Sequence, residues 1–312
     1  LHQHRLKGKT VVFTFHRVLP LADFESCHFQ RSLVVSDRAF DSFLNNLRQH
    51  FDVLAMSDFL KQDRAAPAKN SRPQALITFD DGWRDNHDVA LPLLRRYDLP
   101  ATIFLSTDFI GSDSGFWWQN LGDYLSTTDF DENKRRAIKT LIDQQVPNHR
   151  LPDCFSERDR FIELLKSDYY PYIASLSQAL FDYSNYQTRD LCLSWQQCAQ
   201  MSKQGIEFGS HSCSHPRLSL LSAEQLHYEL AESRRCIMQQ HLNYVDVICY
   251  PYGDQNQATQ VQAEKLYKMG FGTGGGIIDY HQTNWLNLPR IHVSEMLAAS
   301  ANALDFRIFR AL

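Results

Sequence analysis

Two sets of residues in this chain have the types and spacing for joint chemistry. Asp80 and Asp81 end the apolar run Ala75 to Phe79 and lead into Gly82. Far downstream, His211 and His215 lie four residues apart among the small residues Ser210, Ser212, Cys213 and Ser214. Two imidazoles and one carboxylate form a common ligand set for a catalytic zinc or similar divalent ion that keeps a position open for water. The second carboxylate is then available as a base, and the combination reads as metal-assisted hydrolysis. Each half alone is ambiguous. Paired aspartates at a turn also serve as caps, and a single histidine is more often a packed or surface residue. A strand-ending aspartate is also the nucleophile of haloacid-dehalogenase-type phosphatases, which need an acid two residues later. Here that position is Gly82, which argues against that chemistry.

Short β-patterned runs position these residues. They are Val11–Phe15, Ala75–Phe79, Ala101–Leu105, Ile206–Gly209, Val245–Tyr250 and Leu288–Val293. Helical periodicity fills several gaps between them. Phe40, Phe43, Leu44 and Leu47 recur at helical spacing after a Ser36-Asp37 cap. Leu226, Leu230 and Ile237 do so after Ser222, with Gln225 completing a capping box. Strand and helix in alternation predict parallel pairing in an open sheet or a barrel. In α/β architectures, sites are built at the carboxyl ends of strands, and Asp80, Asp81 and His211 all fall at such ends. The strand leading to His211 is expected to stop there, with Pro216 closing the turn.

The segment 111–190 breaks the alternation, being polar, helical in pattern and without a convincing strand. It reads as a helical insertion within one domain spanning 1–312. Its entrance, Phe116-Trp117-Trp118, has two open readings, stacking on sugar rings or buried packing. The glycine cluster Gly272 to Gly276 lacks the strand–turn–helix context of a phosphate loop and reads as a turn.

Bulk properties narrow the function classes. The chain has 312 residues, 43% hydrophobic, enough for one large α/β domain or two smaller ones. Its net charge of −4, with basic residues scattered, argues against a nucleic-acid footprint. Basic runs such as Lys134-Arg135-Arg136 fit solvated helix faces. Seven cysteines without a C-x-x-C motif suggest free thiols in a reducing compartment. No stretch reaches the ~18 apolar residues of a membrane span, and Leu1 to Arg5 carry no apolar signal region. The expectation is a cytoplasmic protein, with a leader or anchor trimmed ahead of Leu1 as the alternative.

Thr78-Phe79-Asp80-Asp81-Gly82 and Ser210-His211-Ser212-Cys213-Ser214-His215 resemble the first two motifs of the polysaccharide deacetylases of carbohydrate esterase family 4. The likeness extends to Phe15-His16-Arg17-Val18, Tyr250-Pro251-Tyr252-Gly253 and Leu288-Pro289-Arg290-Ile291. It implies a distorted (β/α) barrel of about seven parallel strands. It also implies a hydrolase that removes N-acetyl groups from an amino-sugar polysaccharide or oligosaccharide. Asp81, His211 and His215 would hold the metal, zinc first, with cobalt or nickel as alternatives. Asp80 would take a proton from the attacking water, and the backbone N–H of Tyr252 would receive the oxyanion.

This chain departs from the family pattern in two places. The third motif usually carries an arginine two residues before its proline. Here that position is Cys249, and Arg290 is the candidate to fill the same space. The usual C-terminal Leu-x-x-His motif is also missing. Some biofilm-matrix members place their acid histidine in an N-terminal Phe-His or Tyr-His motif, so the resemblance makes His16 the general acid, with His292 second. Other readings stay open: a deacylase of a lipid-linked or differently acylated aminosugar, and an inactive carbohydrate-binding homologue. Oligomeric state is not legible.

Overall fold

The protein is described here by a computed structural model. It describes residues 6–27, 30–62, 64–69, 71–112, 115–126, 130–188, 191–281 and 284–311. Leu1 to Arg5, read above for a signal region, and Asp190, the expected end of the helical segment, lie outside them.

Seven strands pair side by side in one parallel sheet. In chain order they are β1 (Thr10–Phe15), β5 (Gln74–Phe79), β6 (Thr102–Leu105), β7 (Glu207–Ser210), β8 (Tyr244–Cys249), β9 (Met269–Phe271) and β10 (Ile291–His292). Their spatial order is β10-β1-β5-β6-β7-β8-β9. The two-residue β4 (Asp52–Val53) joins the first half of β5, while β6 pairs with its second half. A separate parallel ribbon joins β2 (Arg17–Leu19) to β3 (Val34–Ser36). The segment Leu288–His292 links the two ends of the sheet: Leu288 bridges to Phe271 of β9, and β10 pairs with β1. The sheet therefore curls into a distorted (β/α) barrel, as the alternation and the resemblance implied.

Burial on both faces explains why the strands read as near-continuous apolar runs. Val11, Phe13 and Phe15 of β1 belong to the same core cluster as Ala75, Ile77 and Phe79 of β5 and Ile103 and Leu105 of β6. Helix Asp37–His50 lays Phe40 and Phe43 on that layer, with ring centroids 5.1 Å from Phe15 in each case. Ser36 caps this helix by accepting from Ala39 N, and helix Ala223–Gln239 opens with the expected Ser222–Gln225 capping box. The last predicted strand is shorter than its pattern. Pro289 has no N–H to give and the Arg290 amide goes to Gly274 O (3.1 Å), so the ladder begins only at Ile291.

The chain forms two compact units, one of residues 1–26, 32–111 and 193–312, the other of 27–31 and 112–192. All the sheet strands lie in the first. The chain leaves it after Gly111 and returns at Leu193, where Gly111 N donates to Leu193 O (2.9 Å). The second unit is helical among the described residues, with helices Trp117–Leu125, Glu132–Gln145, Arg158–Asp168 and Ile173–Ser184. Phe116 and Trp118 are buried and stacked 4.7 Å apart, so of the two readings of that aromatic run, packing holds for these two rings.

Candidate active site

The sheet register brings the predicted residues together. Phe15 of β1 lies opposite Phe79 of β5, so His16 and Asp80 follow neighbouring strand ends. Leu105 of β6 lies opposite Ser210 of β7, and β7 pairs with β8 through Ser210 and Ile248. His211 and the Tyr250–Gly253 turn thus emerge beside the aspartates. Parallel strands put all these carboxyl ends on one rim.

Asp80 is buried and gripped by Arg290. The guanidinium donates from Nη1 to Oδ1 and from Nη2 to Oδ2, both at 2.7 Å. The same guanidinium donates to Thr14 Oγ1 (2.9 Å) and, through Nε, to Gly272 O (3.1 Å). A fork with four anchored bonds has one orientation, which it imposes on the carboxylate. Burial alone would push the Asp80 carboxyl up, but the charge of Arg290 and its two hydrogen bonds outweigh it and hold the group well below the usual carboxylate range. Arg290 thus reaches Asp80 from just ahead of β10, across β1. Cys249, where an arginine stands in the usual motif, is a fully buried thiol.

Asp81 faces the histidines. Its backbone is left-handed (φ 75°) and Gly82 follows at φ 95°. The φ of Gly82 is one that L side chains rarely adopt, and a Cβ there would also press on the tips of Ile110 (Cδ1, 2.7 Å) and Leu105 (Cδ2, 2.9 Å). This double turn sends both carboxylates to one side, which a flat strand would not. Oδ2 of Asp81 accepts from Trp83 Nε1 (2.8 Å). Oδ1 is buried with no hydrogen-bond partner of its own among the described residues, and it faces Nε2 of His211 and Nε2 of His215, each 3.4 Å away.

The outer nitrogens set the tautomers. His211 Nδ1 lies 2.7 Å from the carbonyl of Cys249. A carbonyl only accepts, so Nδ1 carries a proton, and in the neutral ring Nε2 is the nitrogen that presents a lone pair. His215 Nδ1 lies 3.0 Å from the Tyr252 hydroxyl, with the tyrosine ring packed edge-on at 4.6 Å. These are the outer partners that orient ligating histidines. One ligand atom from each of Asp81, His211 and His215 lies within 4.8 Å of the other two. A buried orphan carboxylate oxygen opposite two imidazole nitrogens fits a divalent cation.

His16 approaches Asp80, with Nε2 4.0 Å from Oδ2. Burial lowers its pKa to about 4 despite the attraction of Asp81 and Asp80, so the ring is neutral at rest. His292 stands next to it, 5.8 Å between ring centroids, but its Nε2 bonds to Ser32 O (2.8 Å). His87 lies on the surface, with Nδ1 against Asp88 and Nε2 against Gln200.

Sequence reasoning named Arg290 but missed other residues that hold these groups. Trp83 was legible only as the residue after Gly82, and nothing in its type announced a bond to Asp81. Arg17 places its guanidinium carbon 4.4 Å from the Trp83 ring centre and is itself held by Asp85 (2.9 Å). The glycine cluster, read as a turn, supplies the Gly272 and Gly274 carbonyls that accept from Arg290.

A model of the family described as Polysaccharide deacetylase matches residues 68–270. The Bacillus subtilis protein YxkH, which carries a polysaccharide deacetylase name, is 24% identical over 91% of this chain and 74% of its own length. The Staphylococcus epidermidis poly-beta-1,6-N-acetyl-D-glucosamine N-deacetylase is 32% identical over 40% of this chain and 44% of its own. Among solved structures, the Streptococcus pyogenes deacetylase PplD in complex with acetate superposes with a TM-score of 0.61 at 19% identity, covering 96% of this chain and 98% of that one.

Proposed function

Because the chain belongs to the polysaccharide deacetylase family, we propose that it is a metal-dependent hydrolase that removes N-acetyl groups from an amino-sugar polysaccharide or oligosaccharide. The observation that carries this reading is the meeting of two kinds of group at one rim. One is an orphan Asp81 oxygen opposite two histidine nitrogens. The other, beside it, is a carboxylate locked by an arginine fork.

Asp81, His211 and His215 would hold the ion, zinc first and cobalt or nickel as alternatives. When bound, it would supply Lewis-acid activation of the attacking water and of the acetyl carbonyl. The remaining steps fall to the protein. Asp80 is ionised at neutral pH and held in one orientation, so it is placed to take the water proton as the water attacks. The backbone N–H of Tyr252 is our candidate donor to the oxyanion, on the turn whose hydroxyl steadies His215. His16, neutral at rest and 4.0 Å from Asp80, is placed to carry the proton on to the departing sugar amine. The bond of His292 to Ser32 O favours His16 over it for that role. On this reading, residues 111–190 are a helical insertion in a single catalytic domain.

The relative named for poly-β-1,6-linked N-acetylglucosamine makes that glycan the first substrate to try. The test is acetate release from β-1,6- and β-1,4-linked N-acetylglucosamine oligomers, before and after chelation and with Zn²⁺ or Co²⁺ restored. Release that disappears with chelator and returns with metal is the expected result. Release that persists after complete chelation would overturn metal dependence, and none under any condition would overturn the substrate class.

A further inference from the structure

Building on the metal-dependent reading, we propose that Glu229 is a positioning residue that holds the 211–215 loop in the shape that aims both imidazoles at Asp81. That loop is not a relaxed turn. Its backbone is left-handed at two non-glycine residues, Ser212 (φ 66°) and His215 (φ 60°). L-residues keep such conformations only where the surroundings over-determine them.

The surroundings do so from two sides. Beyond the end of β6, Thr107 N donates to Ser212 O (3.2 Å) and Asp108 N to Cys213 O (3.1 Å). From the other side, helix Ala223–Gln239 presents Glu229. Its Oε2 accepts from Cys213 N (2.8 Å) and Ser214 N (3.0 Å), and its Oε1 accepts from the Ser214 hydroxyl (2.5 Å). Ser233, one turn further along the same helix face, pairs with Ser210 Oγ (2.7 Å), which accepts from Ser212 N (3.2 Å).

The placement of Glu229 is the telling part. Leu226, Leu230 and Ile237 form the buried face of that helix, and Glu229 and Ser233 sit among them, both buried. An apolar side chain would serve helix packing there without the desolvation cost of a carboxylate. Among the described residues, no lysine or arginine forms an ion pair with Glu229, and the three donors named above all belong to the 213–214 stretch between the two histidines. The carboxylate is spent on loop geometry. Outer-shell groups of this kind set ligand orientation, and their loss typically weakens metal binding about 10- to 100-fold.

The test is Zn²⁺ affinity by competition with a chromogenic chelator, together with the visible absorption of the Co²⁺-loaded protein, for wild type, E229A, E229Q and L230A. E229A is expected to bind Zn²⁺ about 10- to 100-fold more weakly and to show an altered Co²⁺ spectrum. Glutamine keeps an oxygen for the two N–H groups and offers an NH₂ to the Ser214 hydroxyl, so E229Q should stay close to wild type. L230A removes core volume from the same helix and should lower Tm without moving the affinity. If E229A does not fold, E229D, shorter by one methylene, is read in the same assay with the same expectation. E229A binding as tightly as wild type, or L230A weakening binding as much, would overturn the role of Glu229 alone. A wild type that binds neither ion would overturn the metal-dependent reading itself.

Discussion

Asp80, the proposed base, owes its ionised state to a partner 210 residues away in the chain. Its burial alone would favour the neutral acid, and Arg290 reverses that sign. D80N removes the proposed base while leaving Asp81, His211 and His215 in place. Turnover should fall by about 10² to 10⁴, with Zn²⁺ still bound in the chelator competition. Retained turnover would sink the role of Asp80. Arg290→Lys keeps the charge but cannot bridge both carboxylate oxygens. Losing one charge-assisted hydrogen bond is worth about 1.5–3 kcal/mol, so kcat should drop roughly 10- to 100-fold with KM little changed. An unchanged kcat in steady-state assays would mean the fork is not what orients Asp80. H16A discriminates proton donors. It should slow amide substrates far more than aryl esters, whose leaving groups need no proton, whereas equal losses on both would point to His292 or to solvent.

At the scale of elements, the site is a property of strand ends. Each of β1, β5, β7 and β8 ends just before a functional residue or turn, and their parallel register aligns those ends. The capped helix Asp37–His50 supports β1 and β5 from one face, so its N-terminus should matter to stability. Ser36 both caps this helix and binds Glu295, its N–H at 2.7 Å from Oε2 and its hydroxyl at 2.8 Å from Oε1. S36A should therefore cost about 1–2 kcal/mol in denaturant unfolding, without changing Zn²⁺ affinity. A cost near zero would show that Glu295 alone anchors the turn. Most strands and both of these helices were legible because period and capping are local signals. Strand β9 was not, since Met269-Gly270-Phe271 is too short to show alternation. Nor did the four-residue spacing of His211 and His215 reflect a helix face. It is met by a left-handed loop, a conformation that residue types other than glycine do not announce.

Over the whole molecule, the seven cysteines are free, and five of them, Cys154, Cys192, Cys198, Cys213 and Cys249, are buried. Burial disfavours the thiolate and pushes Cys154 and Cys198 to about 12. Raising the pH from about 7 to about 9 brings an ordinary thiol through its pKa but leaves these two protonated. Alkylation of the native protein is expected at Cys27 and Cys236, the two half-buried thiols, while the five buried thiols should stay unlabelled until denaturant is added. Mass-spectrometric labelling of Cys249 in the native state would mean that the Asp80 surroundings open to solvent. No helix among the described residues is long and apolar enough to cross a membrane.

What the sequence by itself determined follows from short-range order. The apolar runs specify strands, their alternation with helices specifies parallel pairing, and the Asp-Asp-Gly and His-x-x-x-His spacings specify the reactive types. These depend on residues within a few positions of each other. The tertiary structure decided which distant groups complete them: Arg290 gripping Asp80, Tyr252 on His215 and Glu229 beneath the loop. Such pairings are set by how the sheet curls and brings Leu288–His292 back against β1. Sheet curvature is summed over every strand, and no local window of sequence contains it.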